Sequence, residues 1–103
     1  MINVTIAGAT YPLGQVSEGW VSQMVVEARK SGRPVCVHVQ VREPGAQVDL
    51  ITAGCGGGGG GGGRPPNDLE RRIFAEWEKR KLQSGEFPPG QLQAFLKELA
   101  RLL

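Results

Sequence analysis

Alternating apolar and polar positions predict a small sheet with one helix in the first half of the chain. Residues 2–6 alternate at the period of a half-buried strand, and Gly8 then offers the turn of a β-hairpin. Apolar residues at helical spacing follow a predicted N-cap at Ser17. Residues 35–41 carry valine at every second position, and residues 47–52 give a last strand. The order β-β-α-β-β predicts an α+β sandwich with one packed helix.

A run of glycines separates this predicted sheet from the rest of the chain. Gly54 and Cys55 lead into the run, whose members are Gly56, Gly57, Gly58, Gly59, Gly60, Gly61, Gly62 and Gly63. Glycine has no side chain to bury and no preferred backbone conformation, so the run predicts a tether or a thin chain end. We therefore divide the chain into a domain at 1–53, a Gly-rich tail or linker at 54–63 and a helical extension at 64–103.

The extension predicts two short helices that form a hairpin. Asn67 and Glu70 have the spacing of a capping box, and Ser84 with Gly85 ends the first helix. Apolar residues recur at helical spacing in both helices: Leu69, Ile73, Phe74 and Trp77, then Leu92, Phe95, Leu96, Leu99 and Leu103. A hairpin this short needs a surface to cover its apolar stripe. That surface is the first domain, a second copy of the chain, or another protein.

From this stripe we select Trp77, Phe74, Phe95 and Leu99 as candidate partner-binding residues. The aromatic pair Trp77 and Phe95 has a second interpretation, in which the two rings form the contact between the two helices. Self-association through the C-terminal helices is a further expectation.

Composition narrows the classes of partner. The net charge is +2 and the charges are interspersed, so we expect no nucleic-acid partner. No apolar run approaches the roughly 20 residues of a membrane span, and the N-terminus MINVTIAG lacks the pattern of a signal peptide. We therefore expect a cytoplasmic protein, no membrane partner, and free thiols at Cys36 and Cys55, with a disulfide between the two as the open alternative.

Catalytic chemistry has little support in the sequence. His38 is the sole histidine, and it shares a predicted strand face with Cys36. The nearest carboxylates, Asp49 and Glu43, have no motif spacing, so we interpret this face as an exposed polar surface. The glycine run lacks the lysine of a phosphate loop, because Arg64 and two prolines follow it. We expect no enzyme, no metal and no cofactor.

The hairpin INVTIAG, the single helix, the strand PVCVHVQV and the strand VDLITAG running into glycines resemble the β-grasp fold of ubiquitin-like modifiers and sulfur-carrier proteins. The resemblance covers about residues 1–63. It implies a terminal glycine carboxylate that an E1-like enzyme adenylates and an E2-like enzyme passes to a target. The tail from Gly54 to Gly63 matches that role, since glycine fits a channel that a Cβ would block. Because residues 64–103 follow, the resemblance also implies a processing peptidase that cuts within the run.

Two functional hypotheses follow. The preferred one is a ubiquitin-like protein modifier precursor of a bacterial conjugation system, cut within the glycine run to expose the reactive carboxylate. The alternative is a non-enzymatic adaptor of two modules, in which the C-terminal helices bind a partner and the glycines are a linker.

Overall fold

A computed structural model describes residues 1–32, 34–55 and 65–103, which form an α+β fold with a four-stranded sheet and three α-helices. The strands are β1 (Ile2–Ile6), β2 (Ala9–Pro12), β3 (Val37–Glu43) and β4 (Ala46–Ile51). The helices are α1 (Glu18–Arg29), α2 (Asp68–Lys79) and α3 (Pro89–Leu102), with 3₁₀ turns at Leu13–Gln15, Ala53–Cys55 and Leu82–Ser84. The predicted tail Gly56–Gly63 lies outside the described residues, as does Arg64.

The sheet is antiparallel throughout, in the order β2-β1-β3-β4. Strand β1 pairs with β2 on one side and with β3 on the other, and β4 pairs with β3 at the edge. The predicted α+β class and the predicted order of the first five elements are confirmed. The finer β-grasp arrangement that the resemblance implies is not confirmed by this strand order.

Side-chain alternation gives the sheet two different faces. Val37, Val39 and Val41 of β3 are fully buried, and they belong to one hydrophobic cluster with the apolar residues of all three helices. The opposite face carries polar residues such as His38 and Gln40, which are half-buried. All the helices therefore contribute to a single layer on the valine side of the sheet.

Helices α1 and α2 start at the capping signals in the sequence. Ser17 Oγ accepts a hydrogen bond from the backbone N–H of Trp20 at 3.0 Å, which begins α1. Both halves of the predicted capping box are present in α2: Asn67 Oδ1 accepts from the Glu70 N–H at 2.8 Å, and Glu70 Oε1 accepts from the Asn67 N–H at 2.9 Å. The prediction of a capping box is confirmed.

The apolar stripe of α2 and α3 is buried against the protein's own sheet and helix α1. Its buried members are Ile73, Trp77, Leu92, Phe95, Leu96 and Leu99, all in the same cluster as the sheet valines. The Trp77 and Phe95 rings meet edge to face with centroids 5.2 Å apart, so the predicted contact between the two helices is confirmed. Leu103, which the sequence also placed in this stripe, is 40% exposed. Residues 65–103 and 1–55 therefore share one core.

Candidate functional site

The chain is fixed in place where it leaves β4, immediately before the glycine run. Thr52 is buried and makes three hydrogen bonds to the segment that leads into β3. Its N–H donates to the Val37 carbonyl at 3.0 Å, its Oγ1 donates to the Val35 carbonyl at 2.6 Å, and the Val37 N–H donates to Oγ1 at 2.9 Å. We call residues 52–55 the root of the glycine run.

Gly54 within this root has no room for a side chain. A Cβ at this position would overlap the carbonyl oxygen of Pro34 and lie 2.8 Å from that of Val35, closer than real Cβ contacts come. The sequence placed Gly54 and Cys55 in the tail. They instead belong to the folded root, so glycine at position 54 is explained by close backbone packing.

The two cysteines form a disulfide, and the expectation of free thiols was wrong. Cys36 directly precedes β3 and Cys55 ends the turn after β4, so the β3–β4 pairing brings their Cα atoms to 4.4 Å. The register of these strands does not follow from the sequence alone, which therefore did not show that the two positions are neighbours. The disulfide ties the root to the start of β3.

Helix α2 attaches to the opposite end of the β3–β4 hairpin through a buried carboxylate. Glu70 is 1% exposed, and its Oε2 accepts a hydrogen bond from the backbone N–H of Gln47 at 2.7 Å. Asn67 adds a second link by donating from Nδ2 to the Gly45 carbonyl at 3.0 Å. Because Oε1 of Glu70 also closes the capping box, one carboxylate both begins α2 and covers part of the β4 edge.

A second link between the segments lies beside the root. The Val35 N–H donates to the Gly85 carbonyl at 2.9 Å. Gly85 has a φ of +74°, and a Cβ there would lie 2.9 Å from Cβ of Pro34. Pro34 and Val35 thus pack against both Gly54 and Gly85.

An apolar groove of about 200 Å³ lies between α1, the 3₁₀ turn Leu13–Gln15 and α3. We call it the α1–α3 groove; its apolar lining is Leu13, Val16, Val21, Leu96 and Ala100, and its polar lining is Ser17, Glu18, Gln93 and Lys97. Both segments of the chain contribute to it. The groove therefore exists only while α3 is docked on α1.

Polar contacts along this groove hold α3 in position. Gln93 donates from Nε2 to the Glu18 carbonyl at 3.1 Å and to Ser22 Oγ at 2.6 Å. Lys97 forms an ion pair with the Glu18 carboxylate. The charged side chains at this edge are therefore already paired, and the concave surface between them is left mainly apolar.

The open sheet face carries a cluster of three polar side chains, Arg42, Asp49 and His38. Arg42 Nη2 contacts both carboxylate oxygens of Asp49, at 3.2 and 2.9 Å, and His38 Nε2 lies 3.2 Å from Asp49 Oδ1. Burial raises the pKa of Asp49, but the hydrogen bonds from Arg42 and His38 outweigh it, and the pKa lies below its ordinary value. The carboxylate is satisfied by its own neighbours, which fits the polar surface expected from the sequence.

The predicted partner-binding residues are largely buried in the structure. Trp77, Phe95 and Leu99 are 3%, 1% and 1% exposed, and Phe74 is half-buried against the same core. A partner could reach the first three only if α2 and α3 left the sheet. Sequence reasoning missed the groove, because Leu13 and Val16 are distant in sequence from Ala100, and no local pattern shows that they lie close together.

No protein family matches the chain, and no curated protein or solved structure shows significant similarity to it. Within the described ranges, no group of three or more metal-ligating side chains is assembled. None of the helices in those ranges has the length and apolar character to cross a bilayer.

Proposed function

We propose that this chain is a non-enzymatic protein-interaction module that binds a segment of a partner protein in the α1–α3 groove. The observation that carries the proposal is the groove itself, an apolar concavity on the surface, beside a core in which most of the apolar stripe of α2 and α3 is buried. The adaptor class is the one inferred from the sequence, but the proposed binding surface is now the α1–α3 groove instead of the apolar stripe of α2 and α3. The buried stripe of α2 and α3 holds the fold together, and the groove beside it faces outward.

The size of the groove favours a side chain over a small-molecule ligand. Its volume of about 200 Å³ is below the roughly 300–1,000 Å³ that is usual for small-molecule and cofactor sites. The partner segment is expected to insert one large apolar side chain among Leu13, Val16 and Leu96. Lys97 and Glu18 at the edge then contact polar groups of the segment, as the rim of a protein interface does.

Filling the groove tests this proposal directly. Ala100→Trp places a large side chain in the groove, while Ala75→Trp places the same side chain on the exposed surface of α2. Each variant is expressed in the native host with a photo-crosslinking amino acid in place of Leu13. Irradiation then links the chain covalently to a partner bound in the groove. We expect the crosslinked product with the Ala75→Trp chain and its loss with Ala100→Trp. Equal crosslinking in both variants, or none in the unblocked chain, would contradict the proposal.

The modifier precursor is a second candidate, and the fixed root of the glycine run favours it. Thr52 and the Cys36–Cys55 disulfide anchor the chain up to the residue before Gly56, so a cut within Gly56–Gly63 leaves the root attached to the sheet. Its partners are an E1-like activating enzyme, an E2-like enzyme and a processing peptidase. Chains ending at successive glycines, incubated with ATP and a cognate E1-like enzyme, are expected to form a thioester. Failure of every chain end to be charged counts against this candidate.

Location bears on both candidates. The cytoplasmic location expected from the sequence stays a proposal, and reducing conditions there would hold Cys36 and Cys55 as two thiols. Thiol labelling of the protein directly after lysis of the native host, with quenching at low pH, distinguishes the two states. Unlabelled cysteines would argue for an oxidising compartment.

A further inference from the structure

We infer that residues 1–55 and 65–103 bind each other tightly enough to remain one folded protein when the connection between them is cut. The interaction surface lies on residues 1–55, and its occupant is residues 65–103 of the same chain. The association itself rests on described contacts and not on either proposed function. Its consequence for the modifier candidate is that processing yields a two-chain protein instead of a free sheet domain.

The two segments meet at three separate places. Helix α2 contacts β4 through Glu70, the turn before α3 contacts the segment before β3 through Gly85, and α3 lies along α1 through Gln93. These three links lie on separate elements of the sheet-containing segment. The contact is therefore a continuous face and not a single hinge.

The face between the two segments is rich in apolar side chains. The C-terminal segment contributes eight buried apolar side chains to the common cluster: Ile73, Trp77, Leu82, Phe87, Leu92, Phe95, Leu96 and Leu99. A non-covalent interface is usually stabilised by a few such buried anchors, with aromatic residues prominent among them. Removing the segment would expose the sheet valines to water, which is unfavourable for the remaining fragment as well.

Cutting the covalent connection lowers the effective concentration at which the two segments meet. A short connection between two binding partners corresponds to an effective concentration in about the millimolar range. At about 1 µM protein, cutting it therefore weakens docking by about a thousandfold. We expect an interface with a buried carboxylate and eight buried apolar side chains to have an affinity high enough to keep the two segments bound despite this loss.

The test is a full-length chain with a specific protease sequence in place of part of Gly56–Gly63. After cleavage at about 1 µM, we expect size-exclusion chromatography and native mass spectrometry to show both fragments in one species. The fragments should separate only in denaturant. The melting temperature should also become dependent on protein concentration, as it does for any folded state made of two chains. Separate elution of the fragments under native conditions would overturn the inference.

Two matched variants identify the interface. Glu70→Ala removes the acceptor for the Gln47 and Asn67 N–H groups, whereas Glu78→Ala removes an exposed carboxylate from the same helix. Circular dichroism of the uncut chains first establishes that both variants fold. After cleavage we expect Glu70→Ala to weaken association by about 10- to 100-fold and Glu78→Ala to leave it unchanged. Equal affinities of the two variants would contradict the assigned interface. If association holds but no thioester forms in the charging assay, the modifier candidate fails and this inference stands.

Discussion

Oε2 of Glu70 accepts a hydrogen bond from the backbone N–H of Gln47 at 2.7 Å, although the two residues are 23 positions apart on opposite sides of the glycine run. The carboxylate is 1% exposed, and its other oxygen begins α2 by accepting from the Asn67 N–H. A buried carboxylate that satisfies two backbone donors links the start of a helix to the edge of a sheet. This contact makes the C-terminal helices part of the fold.

Removing that carboxylate should destabilise the whole protein. Glu70→Ala leaves the part-buried Gln47 and Asn67 N–H groups without their charged acceptor, and each lost hydrogen bond costs about 1–3 kcal/mol. We expect the free energy of unfolding in urea to fall by about 2–6 kcal/mol in total. The exposed Glu78→Ala is the control and should change it by less than about 0.5 kcal/mol. A Glu70→Ala chain as stable as the control would show that the contact contributes nothing.

Glycine is required at the two positions that pack on Pro34 and Val35. Gly54→Ala and Gly85→Ala each place a Cβ within 3 Å of those residues, and position 85 also has a positive φ. We expect each substitution to lower the free energy of unfolding by about 1–3 kcal/mol. Gly90→Ala in α3 meets open space, and thermal melting should show it neutral or stabilised by up to about 1 kcal/mol. The prediction fails if all three variants melt alike.

The disulfide should stabilise the fold without being needed for it. Cys36 and Cys55 are 19 positions apart, and closing a loop of about that length contributes about 3 kcal/mol. Reductant should therefore lower the melting temperature of the wild type. The Cys36→Ala/Cys55→Ala chain should melt at the lower temperature with or without reductant. A wild type that does not respond to reductant, with both cysteines labelled by a thiol reagent, would contradict the pairing.

The pH dependence of the open sheet face follows from Asp49. The pKa of its carboxyl lies below the ordinary value of 3.8 because the contacts with Arg42 and His38 outweigh burial. A lowered folded-state pKa means that this group stabilises the fold above 3.8 and that the contribution is lost as the pH falls through the folded value. The effect is small, since the side chain is 44% exposed.

Carbon-detected NMR of the Asp49 carboxyl measures this shift. We expect Arg42→Gln to move the titration midpoint upward toward 3.8, because the strongest pairing is removed. Arg71→Gln, on the exposed side of α2, should leave the midpoint where it is. A midpoint that does not respond to Arg42→Gln would show that the cluster does not form.

Local sequence signals predicted the elements well. The valine alternation of β3, the N-cap at Ser17 and the capping box of Asn67 and Glu70 are each decided by residues within a few positions of one another. For the same reason the class and the element order could be inferred from the sequence.

Relations between distant residues could not be predicted. The disulfide depends on the register of β3 with β4, the Gln47–Glu70 contact on where α2 docks, and Gly54 on the backbone packed beside it. The glycine at position 54 was indistinguishable in sequence from those of the run. The apolar stripe of α2 and α3 indicated that a surface covers it but did not identify the surface as the protein's own sheet and helix α1.

The central claim is that the sheet and the C-terminal helices form one cooperative unit, and the two tryptophans test it. Trp20 lies in α1 and Trp77 in α2. Trp20→Phe therefore leaves Trp77 as the reporter of the C-terminal segment, and Trp77→Phe leaves Trp20 as the reporter of the N-terminal segment. Urea unfolding is followed by tryptophan fluorescence and far-UV circular dichroism on each variant. We predict that the two signals have the same midpoint and slope within each variant. A Trp77 transition that precedes the loss of sheet signal would contradict the account and restore the two-module adaptor.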